Sequence, residues 1–503
     1  MDAAGRTGFK ALALATVAGI AVAGVALAQP KPSPQGAPQQ ALPTTKPAPL
    51  GGPAQQAQPA RPAPAPQAQA PVQVPPPPAV NPGLPPNEAP AITRLRGLLG
   101  ADVRLSYANA ETLDGLGEQV RMTGVVLEQT GKRATADEVL INGLRQDGVA
   151  ELVARNLATT EDNNTVRIAQ LRIAGLTVPR DASGKPPEPD QVRLDQLHVE
   201  GVETTGESTI RLRLATLENW VAGQPARLAI EGLEVGAIDA GVFDTMRLAR
   251  FALSGVDLGG TLAAVMRNEQ PPNLVGRASI DLDGLDVLGG GRSVGRLAEM
   301  RIAADIQRTD GSGTGTVAFR GIRVEPMPMI ADWLTRFGYQ AVEGEITAQT
   351  AYDAPSGRID IRDLSVSGRD VGTLSLALVM DGVTQQAAQT GDVSNVRLIS
   401  AGLRYADASL FRRFVALQAR ESRTPEAQLR EQFAAMAGGA LSQPGAAGLD
   451  PIRDAVQRFI RGQAQTVEVR VNPPQPVKLV DAQQPPANAA EAQRRFGITA
   501  QAQ

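Results

Sequence analysis

Along much of the chain the apolar residues fall in short alternating groups that change step at a glycine. In residues 171–178, with Gly175 as origin, apolar side chains stand at −4, −2, +1 and +3. The same frame fits Gly124 (Val120, Met122, Val125, Leu127) and Gly232 (Leu228, Ile230, Leu233, Val235). It fits Gly255 (Phe251, Leu253, Val256, Leu258), Gly284 (Ile280, Leu282, Leu285, Val287) and Gly321 (Val317, Phe319, Ile322, Val324). Gly143 and Gly201 match at the first three positions and carry Gln146 and Thr204 at the fourth, and Gly368 and Gly402 are degraded copies.

A strand alternates its faces with period two, so each such phrase changes its apolar face at the glycine. Two devices absorb the change. A β-bulge adds one residue and returns all four side chains to one face, and glycine permits the backbone that a bulge uses; this reading is favoured. The alternative is a strand that is apolar on opposite sides before and after the glycine, as where a curved sheet folds over itself. Both make the phrase a scaffold signature.

The pattern predicts a mainly β fold: a long, curved antiparallel sheet of bulged strands, its apolar face available as a groove, with a C-terminal cluster of short amphipathic helices. Residues 210–214 and 373–380 alternate cleanly, and Asp310-Gly311 and residues 353–357 read as tight turns. Spacing between the repeat glycines runs from 19 to 47 residues, too irregular for a β-helix or propeller. Helical inserts are expected at 92–99, 261–267 and 329–337, where Ile330, Trp333, Leu334 and Phe337 mark one face. The repetitive β domain runs from 91 to 405 and a helical section from 406 to 463. Asp407 or Ser409 caps its first helix, Thr424-Pro425-Glu426 starts a second, and Asp450-Pro451 opens a third. Residues 464–481 form terminal strands, and 482–503 read as a flexible polar tail.

The N-terminus changes this picture by setting a compartment. Arg6 and Lys10 precede an apolar run, 11–28, that ends in Ala26-Leu27-Ala28, so residues 1–28 read as an export signal. Cleavage after Ala28 is favoured; uncleaved, the run 11–28 serves as a membrane tether. Residues 29–90, rich in Pro, Gln and Ala, cannot bury enough surface to offset ordering and read as a disordered linker. A net charge of −3, with no basic run interleaved with aromatics, argues against a nucleic-acid partner. The chain has no cysteine, which removes disulfides, thiolate metal sites and a cysteine nucleophile.

The candidate chemistry is sparse. His198, the only histidine, alternates with Leu197 and Val199 and reads as an outward-facing strand residue, with no nucleophile motif beside it. Asp281, Asp283 and Asp286 lack the later oxygen ligands of a calcium loop and read as the polar side of a strand. Residues 289–291 and 311–315 are glycine-rich turns without the Lys and helix of a phosphate loop. No catalytic, cofactor-binding or metal residue is assigned, no cofactor is expected, and the chain reads as a non-enzyme. Arg453, Arg458 and Arg461 raise membrane-surface binding by the third helix as a lesser alternative to covering the sheet's end.

Export signal, repeated apolar-x-Gly-apolar strands and a helical C-terminal section together resemble the AsmA-like and YdgA-like envelope proteins of Gram-negative bacteria. Phrases such as 228–235 and 251–258 and the run 337–380 carry the resemblance, which spans roughly 103 to 471. It implies a curved antiparallel sheet with an apolar inner face, in a family linked to outer-membrane assembly and lipid movement. This chain is short for that family and has a long Pro/Gln linker, which argues against spanning the periplasm. Two functions are expected from the reading. One is a non-catalytic protein of the periplasm, or of the periplasmic face of the inner membrane, handling a lipid or other amphiphile in the groove. The other is a structural module, tethered by its linker, that binds an envelope protein partner.

Overall fold

The computed structural model describes residues 88–99, 102–129, 132–161, 164–179, 187–206, 209–238, 243–328, 330–384, 387, 390–441, 449–482, 486 and 488–503. The expected export signal at 1–28 and all but the last three residues of the 29–90 linker lie outside them.

The alternating segments form one antiparallel sheet of 20 strands. They are β1 (Arg104–Ser106), β2 (Asn109–Thr112), β3 (Gln119–Gln129), β4 (Lys132–Arg145), β5 (Gly148–Glu161), β6 (Asn164–Thr177) and β7 (Leu194–Thr205). Then come β8 (Thr209–Trp220), β9 (Ala226–Gly236), β10 (Thr245–Val256), β11 (Gly276–Gly289), β12 (Arg292–Ile306), β13 (Gly313–Val324) and β14 (Val342–Asp353). The last are β15 (Arg358–Gly368), β16 (Gly372–Asp381), β17 (Arg397–Asp407), β18 (Thr466–Val471), β19 (Val477–Lys478) and β20 (Ile498–Ala502).

From β3 to β17 each strand pairs with its neighbours in sequence, a continuous meander. β1 and β2 lie end to end along β3, β18 and β19 lie along β17, and β20 closes the far side on β18. Among the described residues nothing pairs β20 with β1 or β2, so the sheet is open.

Eight helices are described: α1 (Pro90–Leu99), α2 (Leu258–Met266), α3 (Ala331–Phe337), α4 (Leu410–Ser422), α5 (Glu426–Ala440), α6 (Asp450–Ile460), α7 (Leu479–Ala482) and α8 (Ala489–Phe496). The choice between Asp407 and Ser409 as cap of α4 is decided by geometry. The Asp407 carboxylate accepts from the Phe411 amide at 2.8 Å, whereas Ser409 Oγ makes no capping bond.

The repeat glycines are left-handed kinks. Gly124, Gly201, Gly232, Gly284 and Gly321 have φ between +61° and +66°, and Asn156 joins them at +50°. All six fall on one line of cross-strand register running over β3, β5, β7, β9, β11 and β13. Gly143, Gly175, Asn219 and Gly255 form a second line on β4, β6, β8 and β10.

Two constraints meet at such a position. A residue with a Cβ strains at this φ, and a Cβ on Gly201 would lie 2.7 Å from that of Ala169, directly across the ladder. The favoured bulge is corrected here. Thr123 pairs with Glu138 and Val125 with Ala136, so the register passes Gly124 with no inserted residue. Among the repeat glycines with positive φ, the register shifts at Gly255 against β9 and beside Gly321 against β14, and further shifts lie away from them between β11 and β12 and across β14 to β17.

The face change does not leave the apolar residues on opposite surfaces either. Val120 and Met122, before Gly124, share one core with Val125 beyond it and with Leu144 and Val149. On β7, Val199 and Val202 flank Gly201 and are both buried. At Gly124 both sides of the kink enter one core that helix α1 closes with Ala91 and Ile92.

The tail departs from expectation. Residues 482–503 contain α8 and β20, and Ile498 and Ala502 are buried against the end of the sheet. Three alternating apolar positions, Ile498, Ala500 and Ala502, match Val471, Val469 and Val467 across the ladder.

Candidate functional site

One register row is apolar in every strand it crosses. It runs through Ala110, Met122, Val139, Ala154, Leu171 and Val199. It continues through Ala215, Ile230, Phe251, Leu282, Met300 and Phe319. It ends with Ile346, Val366, Leu374, Tyr405, Val467 and Ala502. Because one pairing step links each residue to the next, the row is a stripe across the sheet, two residues before each kink of the first line. A companion stripe at the far end joins Leu364, Leu376, Leu403, Val469 and Ala500.

The stripe is not equally covered along its length. Met122, Ala154, Val199, Ala215 and Ile230 are buried, whereas Leu282, Met300, Phe319 and Ile346 are half-buried. On β15 and β16 it opens at Val366 and Leu374, 46% and 44% exposed, and on β17 the companion stripe opens beside it at Leu403, 47% exposed. Val366 pairs with Leu374, Leu374 lies opposite Tyr405, and Leu403 is two residues from Tyr405. The open residues therefore form one contiguous apolar surface.

Helices cover the two ends of this face. At the first end Ala91 and Ile92 of α1 are fully buried in the core formed by Leu105, Val120, Met122 and Ile141. Arg94 and Arg96 fasten the helix by donating to the carbonyls of Leu144 and Leu105 at 2.8 and 2.7 Å. At the other end Phe459 of α6 meets the Tyr405 ring edge-on, 5.7 Å between centroids, and Phe411 of α4 at 5.1 Å. Ala455 packs with Ala464, Ala502 and Val467, so the apolar side of α6 is turned onto β18 and β20. Substantial helix packing on the sheet involves β3, β4, β17, β18 and β20, and the stretch from β11 to β16 lies between these covers.

The opposite side of the same strands is polar and laddered with charge. Arg155 pairs with Glu138, Arg172 with Glu151, and Arg301 with Asp281, Asp283 and Glu299. The Arg301 guanidinium, and then Arg320, hold the Glu299 carboxyl below the usual carboxylate range. Such exposed pairs add little to stability, and their larger effect is to keep this face wet. His198 sits here, half-buried, with Nε2 3.7 Å from a Glu200 carboxylate oxygen. Asp281 and Asp283 are tied to Arg301, and Asp286 accepts from Ser293 Oγ at 2.5 Å. The structure brings His198 and these aspartates to one face and into no common cluster. Gly290 and Gly291 form the β11–β12 turn after Gly289 ends β11; of residues 311–315, expected as a turn, Gly311 and Ser312 lie in the β12–β13 turn whereas 313–315 open β13.

A cavity of about 380 Å³ lies at the edge beside α3, lined by Arg323, Gly338, Tyr339, Gln340, Ala341, Glu343, Arg369, Asp370 and Arg413. Glu343 pairs with both Arg323 and Arg369. Arg413 donates to the carbonyls of Phe337 and Gly338 at 2.9 and 2.6 Å and lies 4.1 Å over the Tyr339 ring. Trp333, 41% exposed, stacks on Tyr339 and Phe337. Sequence reasoning missed these three arginines because they come from three distant segments with no motif; only the topology brings them together.

Residues 365–503 match the model of a family described only as "Uncharacterized protein". The matched segment holds the open part of the stripe at Val366 and Leu374, the helices α4 to α8 and the closing strands. None of the curated proteins compared with the chain matches it.

Proposed function

We propose that this chain is a non-catalytic envelope protein that holds the apolar part of a lipid or other amphiphile on the uncovered stretch of its sheet. One observation supports the reading most: an apolar stripe that is covered at both ends of the sheet and left open at Val366 and Leu374, with Leu403 open beside it. A folded chain seldom leaves large aliphatic side chains contiguous and uncovered without a use for them. Export through residues 1–28, on the charged start and the apolar run 11–28, would place this surface in the periplasm or on the periplasmic face of the inner membrane.

The test is binding of cis-parinaric acid, a fluorescent fatty acid, to the purified protein. Leu374→Asp and Leu403→Asp should each weaken binding by roughly tenfold or more, the equivalent of losing about 1.5–3 kcal/mol of side-chain burial. Ser375→Asp, on the other side of β16, should leave it unchanged. Equal binding by all four proteins, or none by the native one, overturns the reading.

A second reading has its own observation. Among the described residues β20 pairs only with β18, so its outer backbone edge is open to strand addition by a protein partner. Ala500→Pro, at a residue whose amide faces away from β18, would then abolish capture of that partner and leave fatty-acid binding intact.

A further inference from the structure

The geometry points to the Arg323–Arg369–Arg413 cavity as the seat of a phosphate-type anionic head on the amphiphile whose chain lies along Val366, Leu374 and Leu403; this rests on the open-stripe reading above. The β15–β16 hairpin joins the two features. Its strands carry Val366 and Leu374, its turn carries Arg369 and Asp370, and both turn residues line the cavity. Arg369 is three residue steps from Val366, about 10 Å of extended chain. A single amphiphile can therefore reach both.

The cavity's donors suit an anion more than its net charge does. Three guanidiniums line it with two carboxylates, Glu343 and Asp370, and Glu325 beside it balances the third. Glu343 already serves both Arg323 and Arg369, and Arg323 is further paired with Glu325 at 2.5 Å. Among the described residues no carboxylate pairs with Arg413, whose recorded partners are two carbonyl oxygens and a ring face. Guanidiniums in such an arrangement present planar pairs of donors that match phosphate oxygens.

The walls are held in place. The Asp370 carbonyl accepts from the hydroxyls of Ser409 and Tyr339, and the Val371 carbonyl accepts from the amides of Ala408, Ser409 and Leu410. The turn is thus tied to the start of α4. Beside the cavity Trp333, 41% exposed and stacked on the buried Tyr339 ring, presents a side chain of the kind that favours a boundary between lipid and water.

The experiment measures binding of three probes to the full chain: dodecyl phosphate below its micellar concentration, dodecyl maltoside likewise, and inorganic phosphate. Dodecyl phosphate should bind roughly tenfold or more tightly than the maltoside, and far more tightly than inorganic phosphate. Arg369→Gln, at a side chain 75% exposed, and Arg323→Gln should bring the two alkyl probes level. Leu374→Asp should weaken both. Circular dichroism and the melting temperature check that each variant is folded.

Equal binding of both alkyl probes by native and arginine variants overturns the head site while leaving the open stripe standing. Inorganic phosphate binding as tightly as dodecyl phosphate overturns the coupling, making the cavity a phosphate site of its own. Binding of neither alkyl probe removes the stripe reading and the proposal with it.

Discussion

Gly201→Ala separates the two constraints that the kink places on this sheet. The φ of +64° costs an L-residue about 1–2 kcal/mol. The added methyl would also lie 2.7 Å from the Ala169 Cβ, closer than Cβ atoms approach, so β6 and β7 must part locally. That overpacking adds about 1–3 kcal/mol, for a total of roughly 2–5 kcal/mol. Ala169→Gly in the same chain removes the contact and leaves the backbone cost. The double variant should therefore recover about half the loss, after allowing about 0.5–1 kcal/mol for the new glycine in a strand. Urea unfolding followed by circular dichroism, with all four members of the cycle, reads the coupling. Additive losses would refute the cross-strand contact. A neutral Gly201→Ala would refute the kink itself.

Asp407→Ala removes the acceptor for the Phe411 amide and for the Tyr405 hydroxyl, each at 2.8 Å, and should cost about 1–2 kcal/mol in urea unfolding, with Asp407→Asn recovering most of it. Glu468, at the β18–β20 pairing, has its carboxyl held below the usual range first by the Gln501 amide and then by Arg470. A lowered folded value means the stabilisation is complete above the ordinary glutamate range and is lost as pH falls through that lowered value. The melting-temperature gap between native protein and Glu468→Gln should thus be present near neutrality and shrink below about pH 4. Arg267→Gln frees the end of α2 from Glu188 and Asp190 and should raise protease cleavage within residues 257–275, an effect that added salt reproduces in the native chain.

The kinks were legible because their two constraints both write to the sequence: a glycine, and a one-residue change in apolar phase. Their irregular spacing has a simple origin. Two register lines, on alternate strands, are interleaved along the chain, so Gly124, Gly143, Gly175 and Gly201 do not belong to one series. Asn156 and Asn219 escaped notice because asparagine also tolerates the left-handed region, and no glycine marks them. The bulge expectation failed for a related reason. Phase alone does not distinguish an added residue from a kink without one, and only pairing on both sides does. β20 was missed because five residues whose apolar positions are one isoleucine and two alanines make little pattern until Val467, Val469 and Val471 supply the partner row. The stripe's apolar character could be read strand by strand; which stretch stays uncovered depends on where α1, α4 and α6 pack.

The central claim is that Val366, Leu374 and Leu403 are open in the isolated chain because an amphiphile covers them. It is tested most directly by organic extraction and mass spectrometry of the protein purified without detergent from cells in which it is exported. The account predicts an amphiphile near one per chain in the native protein, and its loss from Leu374→Asp and Leu403→Asp but not from Ser375→Asp. A native protein that carries none, and takes up no cis-parinaric acid when offered it, would contradict the account.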